Sequence, residues 1–135
     1  TGETLEEELK TLECHWNDFD FFYVHVKPID SAGEDGDFNR KVALIEEVDK
    51  QVPRIMNLQP DVLIVTGDHS TPSVLASHGW HPVPVLLRSR HCRPDDVNRF
   101  GERPCVAGAL GPRFPARDLM VLALANAKRL NKFGA

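Results

Sequence analysis

The run Asp61-Val62-Leu63-Ile64-Val65-Thr66 constrains this sequence more than any other stretch. A strand with one wet face alternates apolar and polar residues, whereas a strand covered on both faces reads apolar throughout. The run therefore predicts a buried strand over 61–66, of the parallel kind, in an α/β chain with helices on both faces of a sheet. It ends without a break in Gly67-Asp68-His69-Ser70. Ligands in open α/β sheets bind beyond the carboxyl ends of strands, so an acid and an imidazole at that mouth point to a site.

Other elements follow from local periodicity. Leu5, Leu9 and Leu12 recur at helical spacing over 4–16, and Thr4 with Glu7 forms a capping-box pattern. The aromatic and β-branched stretch Phe19 to Val26 predicts a second buried strand, with His25 a satisfied core or interface residue, closed by Pro28. Residues 29–36 read as a loop rich in Gly, Ser and acid. Asp37 is the expected N-cap of a helix with apolar Phe38, Val42, Ile45, Val48 and Val52, which Pro53 kinks or ends. Residues 67–80 read as a long loop with a short helical piece at 73–77, and 82–87 as a third strand. Pro82 and Pro84 confine that strand to an edge or a strand end. The Arg-, Gly- and Pro-rich stretch 88–115 is mostly loop. A final helix is expected over 118–133, with Arg129 and Lys132 where its dipole favours cations.

Composition removes several function classes. A chain of 135 residues is long enough for one domain with a core. A net charge of -4 gives no electrostatic case for nucleic acid or an anionic membrane surface. No apolar run approaches the roughly 20 residues that span a bilayer. The N-terminus, rich in Glu6-Glu7-Glu8, lacks the basic-then-apolar order of a signal peptide. Three widely spaced cysteines, Cys14, Cys92 and Cys105, without CxxC, argue against a disulfide scaffold or structural zinc and suit a reducing cytoplasm. The start at Thr1, without an initiator methionine, fits a fragment or a processed product.

Parallel strands over 19–26 and 61–66 would carry the loops that follow them to one rim. Those loops hold Asp30, Glu34, Asp68 and His69, and His78 lies close enough in sequence to reach the same place. Clustered carboxylates repel unless a cation or protons neutralise them. Carboxylates mixed with imidazoles suit Mn²⁺ or Zn²⁺ better than Ca²⁺, which prefers oxygen alone. Two such ions about 3.5–4 Å apart would suit phosphoryl transfer. Each residue taken singly has a plainer reading. An Asp-His pair after a strand is often a capped turn, Asp30 and Glu34 are ordinary loop acids, and a lone His78 is a surface histidine. The same holds for Arg88, Arg90, Arg93 and Arg99 as solvated loop charges, and the cysteines read as inert. No GxxxxGK[ST], GxGxxG, HExxH or GxSxG is present.

In combination these stretches carry more weight. "HVKPIDSAGEDGDFNRKVALIEEVD", "VLIVTGDHSTP", "HGWHPVPVLL" and "DLMVLALANAKRLNKFGA" resemble the C-terminal part of the archaeal-type 2,3-bisphosphoglycerate-independent phosphoglycerate mutases, of the alkaline phosphatase superfamily. The likeness covers almost the whole chain in order. It implies a partial α/β/α sandwich, with mainly parallel strands and helices on both faces. It also implies a cytoplasmic enzyme of glycolysis and gluconeogenesis that interconverts 3- and 2-phosphoglycerate through a phosphoserine. Two divalent ions, Mn²⁺ first, with Mg²⁺, Co²⁺ or Zn²⁺ as alternatives, are implied. Asp68 and His69 would ligate the serine-side metal, and Asp30 and His78 the substrate-side metal. The family carries Asp, three residues, then His in the first loop; here Glu34 stands at the histidine position. By the same resemblance, 1–135 is the C-terminal part of the metal-binding domain. The serine nucleophile and the inserted substrate domain then lie outside it, the chain is inactive alone, and its uncovered edges favour self-association. The alternatives are a phosphohydrolase of the superfamily and a non-catalytic metal-binding domain.

Overall fold

A computed structural model describes residues 2–130. Helix α1 spans Leu5–Cys14. Its capping box is formed: the Thr4 hydroxyl accepts from the Glu7 amide, and the Glu7 carboxylate accepts from the Thr4 amide. Helix α2 spans Lys27–Glu34, α3 spans Phe38–Asn57, and strand β1 runs Val62–Thr66. Strand β2 runs Val85–Ser89, followed by the single turn α4 at Glu102–Cys105 and helix α5 at Asp118–Asn126.

The chain divides into two compact units. Thr1–Gln59 with Thr71–Gly79 forms one, and Pro60–Ser70 with Trp80–Ala135 forms the other. In the first unit α2 packs on α3. Leu9 and Leu12 of α1 and Ala32 of α2 are its buried apolar residues. Arg54 of α3 ties α1 in place: its guanidinium forks onto the Glu13 carboxylate and donates to Glu6 Oε2 at 2.7 Å. Trp16 stacks on Phe22 at 5.2 Å between ring centroids, and Phe19 meets Phe22 edge-on.

Of residues 29–36, expected as a loop, 29–34 belong to helix α2 and Asp35 and Gly36 form the turn that follows it. Pro28 does close the extended segment before it. It also sits in the first helical turn, where its fixed φ suits a helix and its missing N–H costs nothing. Asp37 caps α3 through the Arg40 amide as expected, and the helix continues through Pro53 to Asn57 rather than ending there.

The stretch 19–26 forms no ladder. Over 21–26 its burial alternates as in a strand: Phe22, Val24 and Val26 are half-buried, while Phe21, Tyr23 and His25 are exposed. No partner strand exists for it among the described residues, so its pairing groups stay outside any sheet. His25, expected in a core or interface, faces outward beside Tyr23.

In the second unit β1 and β2 form an antiparallel pair with Val62 opposite Ser89 and Thr66 opposite Val85. The sheet among the described residues is therefore two-stranded and antiparallel, not parallel. Pro82 and Pro84 lie ahead of β2, which begins at Val85, so neither removes a donor from the ladder. The expected helical piece at 73–77 is a turn over 73–76. Helix α5 touches β1. It stops at Asn126, short of the expected 133, because Lys128 takes a left-handed conformation with φ 57°. The Arg129 amide then reaches the Leu124 carbonyl and the Lys128 amide the Ala125 carbonyl, a closure usually built on Gly. Arg129 thus lies past the last turn; Lys132 lies outside the described residues.

Candidate metal centre

Asp30 and Glu34 are one helical turn apart on α2, so they share a face. The loop after Thr71 brings His78 to that face. Its Nε2 lies 3.3 Å from Glu34 Oε1 and 3.8 Å from Asp30 Oδ1. Two carboxylates and an imidazole, expected from sequence to lie together, do converge within the first unit. Asp30 is the sheltered member, with its side chain 12% exposed, while Glu34 and His78 face solvent.

The cluster gathers more negative than positive charge on one helix face. Two acids on one helix face repel unless positive charge lies between or beside them. Lys27 supplies part of it, its ammonium paired with Asp30 Oδ2. Asp30 Oδ1 accepts the Thr71 hydroxyl at 2.5 Å. Hard carboxylate oxygens beside one imidazole nitrogen form a donor set that fits Mn²⁺ or Zn²⁺. The residues present therefore fit a divalent ion.

Asp68 and His69 belong to the second unit, directly after β1. The His69 amide donates to Asp68 Oδ1 at 3.0 Å, where the chain bends after β1. The two side chains lie 3.6 Å apart from His69 Nε2 to Asp68 Oδ2. The strand end predicted from sequence is thus where both residues stand.

Three residues of the first unit escaped sequence reading. Thr71 is buried and bonded to Asp30, Lys41 of α3 donates to the Thr71 carbonyl, and Gly33 lets α2 approach that carbonyl closely. Thr71 lies inside "GDHSTP", the one signal that could have found it. A glycine inside a helix is another, because it asks for a packing reason. Nothing in the sequence marks Lys41.

With this geometry in view, the comparisons with known proteins decide the family. The sequence pattern of the Metalloenzyme superfamily matches residues 3–126. The chain belongs to that superfamily. Metalloenzyme membership accords with a donor set that fits a divalent cation. Among similar proteins, one from Thermotoga neapolitana is named "Probable 2,3-bisphosphoglycerate-independent phosphoglycerate mutase" and is 58% identical over 100% of this chain and 33% of its own length. A protein of the same name from Aquifex aeolicus is 49% identical over 99% of this chain and 33% of its own. The chain thus spans about a third of the length of these relatives. The solved PH0037 protein from Pyrococcus horikoshii superposes with a TM-score of 0.83 at 36% identity, covering 96% of this chain and 39% of that one.

Proposed function

We propose that these residues are the C-terminal, metal-binding part of a cytoplasmic 2,3-bisphosphoglycerate-independent phosphoglycerate mutase. The observation that carries the reading is the convergence of Asp30, Glu34 and His78, in a chain whose relatives bear that name. The substrate is phosphoglycerate, and the reaction moves its phosphoryl group between the 3- and 2-hydroxyls by way of a serine outside these residues.

Two divalent ions serve the reaction, Mn²⁺ first. Asp30, Glu34 and His78 hold one, and Asp68 with His69 helps to hold the other. Bound cations supply charge stabilisation to attacking and leaving oxygens of a phosphoryl transfer. This chain's residues do the holding and orienting. Asp30, sheltered and held by Lys27 and Thr71, sets direction. Glu34 offers oxygen where the resembled family offers nitrogen, which favours harder ions. His78 closes the set from the loop side.

The α/β/α sandwich with mainly parallel strands belongs to the same proposal. Support comes from 21–26, which alternates in burial yet has no ladder partner among the described residues. That is the state of a strand whose neighbours come from elsewhere in the sequence.

The test is product analysis on the whole protein supplied with 3-phosphoglycerate and Mn²⁺. Formation of 2-phosphoglycerate, lost in Asp68→Ala, is expected. Release of free phosphate instead would replace the mutase with a phosphohydrolase. Absence of either product would leave a non-catalytic metal-binding domain.

A further inference from the structure

The Asp30 carboxylate is braced from behind. Thr71 Oγ1 donates to its Oδ1 at 2.5 Å, and Thr71 is only 5% exposed. The Thr71 carbonyl in turn accepts from Lys41 Nζ at 2.5 Å. Gly33 makes room for that arrangement: a Cβ there would lie 2.4 Å from the Thr71 carbonyl oxygen and 3.0 Å from Lys41 Nζ. Three elements, α2, α3 and the loop at 71, thus meet around one residue: Thr71 gives its hydroxyl to Asp30 of α2 and its carbonyl to Lys41 of α3.

Resting on the reading of Asp30 as a metal ligand, we propose that Thr71, fixed by Lys41, is a positioning residue that sets the Asp30 carboxylate for a divalent cation. The terminal torsion of an Asp side chain is broad and roughly two-fold, so the carboxylate plane needs an external fix. A neutral hydroxyl fills one lone-pair site and leaves the negative charge for a metal. Lys27 acts differently, since its ammonium competes for the same charge. Burial commits Thr71 to this partner, because a buried hydroxyl left unpaired is costly. Lys41 anchors the backbone of Thr71 rather than the carboxylate, so its influence passes through Thr71. Groups that orient metal ligands in this way are worth about 10–100-fold in metal affinity.

The experiment is calorimetric titration of Mn²⁺ into the whole protein and its Thr71→Val, Thr71→Ser and Asp30→Asn variants. Thr71→Val should weaken the Asp30-dependent site about 10–100-fold, and Thr71→Ser, which keeps the hydroxyl, should restore most of it. A threonine that serves only through its methyl would show the reverse order, since valine keeps that methyl and serine lacks it. If Thr71→Val binds as wild type while Asp30→Asn loses the site, the positioning role is overturned and the metal reading survives. If Asp30→Asn binds as wild type, the metal reading falls and takes this role with it. Should Thr71→Val fail to fold, Lys41→Met serves in its place: a weakened site supports the proposal, and unchanged affinity overturns it.

Discussion

His78 Nε2 lies 3.3 Å from Glu34 Oε1, one helical turn along α2 from Asp30. Glu34 thus stands beside His78, at the sequence position where the resembled family carries a histidine. Substituting Glu34→Gln keeps the shape and removes the charge. Mn²⁺ affinity should fall at least about tenfold, since even an outer partner of a ligand is worth that much. Glu34→His should shift preference toward Zn²⁺, because imidazole suits that ion and carboxylate suits Mn²⁺ and Mg²⁺. Competition titration between the two metals reads both outcomes.

Gly33→Ala sets two effects against each other. Alanine favours a helix by about 1 kcal/mol over glycine. The added Cβ would meet the Thr71 carbonyl oxygen at 2.4 Å, a backbone atom with little freedom to retreat. Overpacking of this kind costs about 1–3 kcal/mol, so the variant should be less stable overall. Chemical denaturation would show a lowered midpoint; a raised midpoint would mean that the loop at 71 yields.

Arg54 and Glu13 make stability depend on pH. The Arg54 guanidinium, bonded to Glu13, holds that carboxyl below its ordinary 4.5. A carboxyl depressed in the folded state stabilises fully above its unfolded value and stops doing so as pH falls through the folded one. Arg54→Met should therefore lower Tm at neutral pH, and the gap to wild type should close once pH drops well below 4.5. A gap that stays constant with pH would assign the effect to packing of the Arg54 stem.

Leu9 is 1% exposed at the centre of the first unit's small core. Leu9→Ala should cost about 2–5 kcal/mol, as for other fully buried leucines. Thermal unfolding checks it.

Much of this was legible in the sequence where the signal is local. The Thr4 and Asp37 caps form as their side chains dictate, and β1 lies where the apolar run ends at Thr66. The Gly, Ser and acid around Asp30 and Glu34 suggest a loop, yet their spacing is the helical one that sets both on one face. Pro28 signals a stop, but proline stops a strand and starts a helix by the same fixed φ. Strand pairing was not legible, because partners are chosen by distant segments: β1 pairs antiparallel with β2, and 19–26 with nothing among the described residues. The end of α5 was hidden because a lysine, not a glycine, takes the left-handed position. Thr71 and Lys41 were missed for the same non-local reason, since their partners are Asp30 and a backbone carbonyl brought near only by folding.

The count of Mn²⁺ ions bound per chain tests the central claim most directly. Measured on the whole protein, wild type should bind two, and Asp30→Ala and Asp68→Ala should each lose one while retaining the other. A count unchanged by both substitutions would contradict the account.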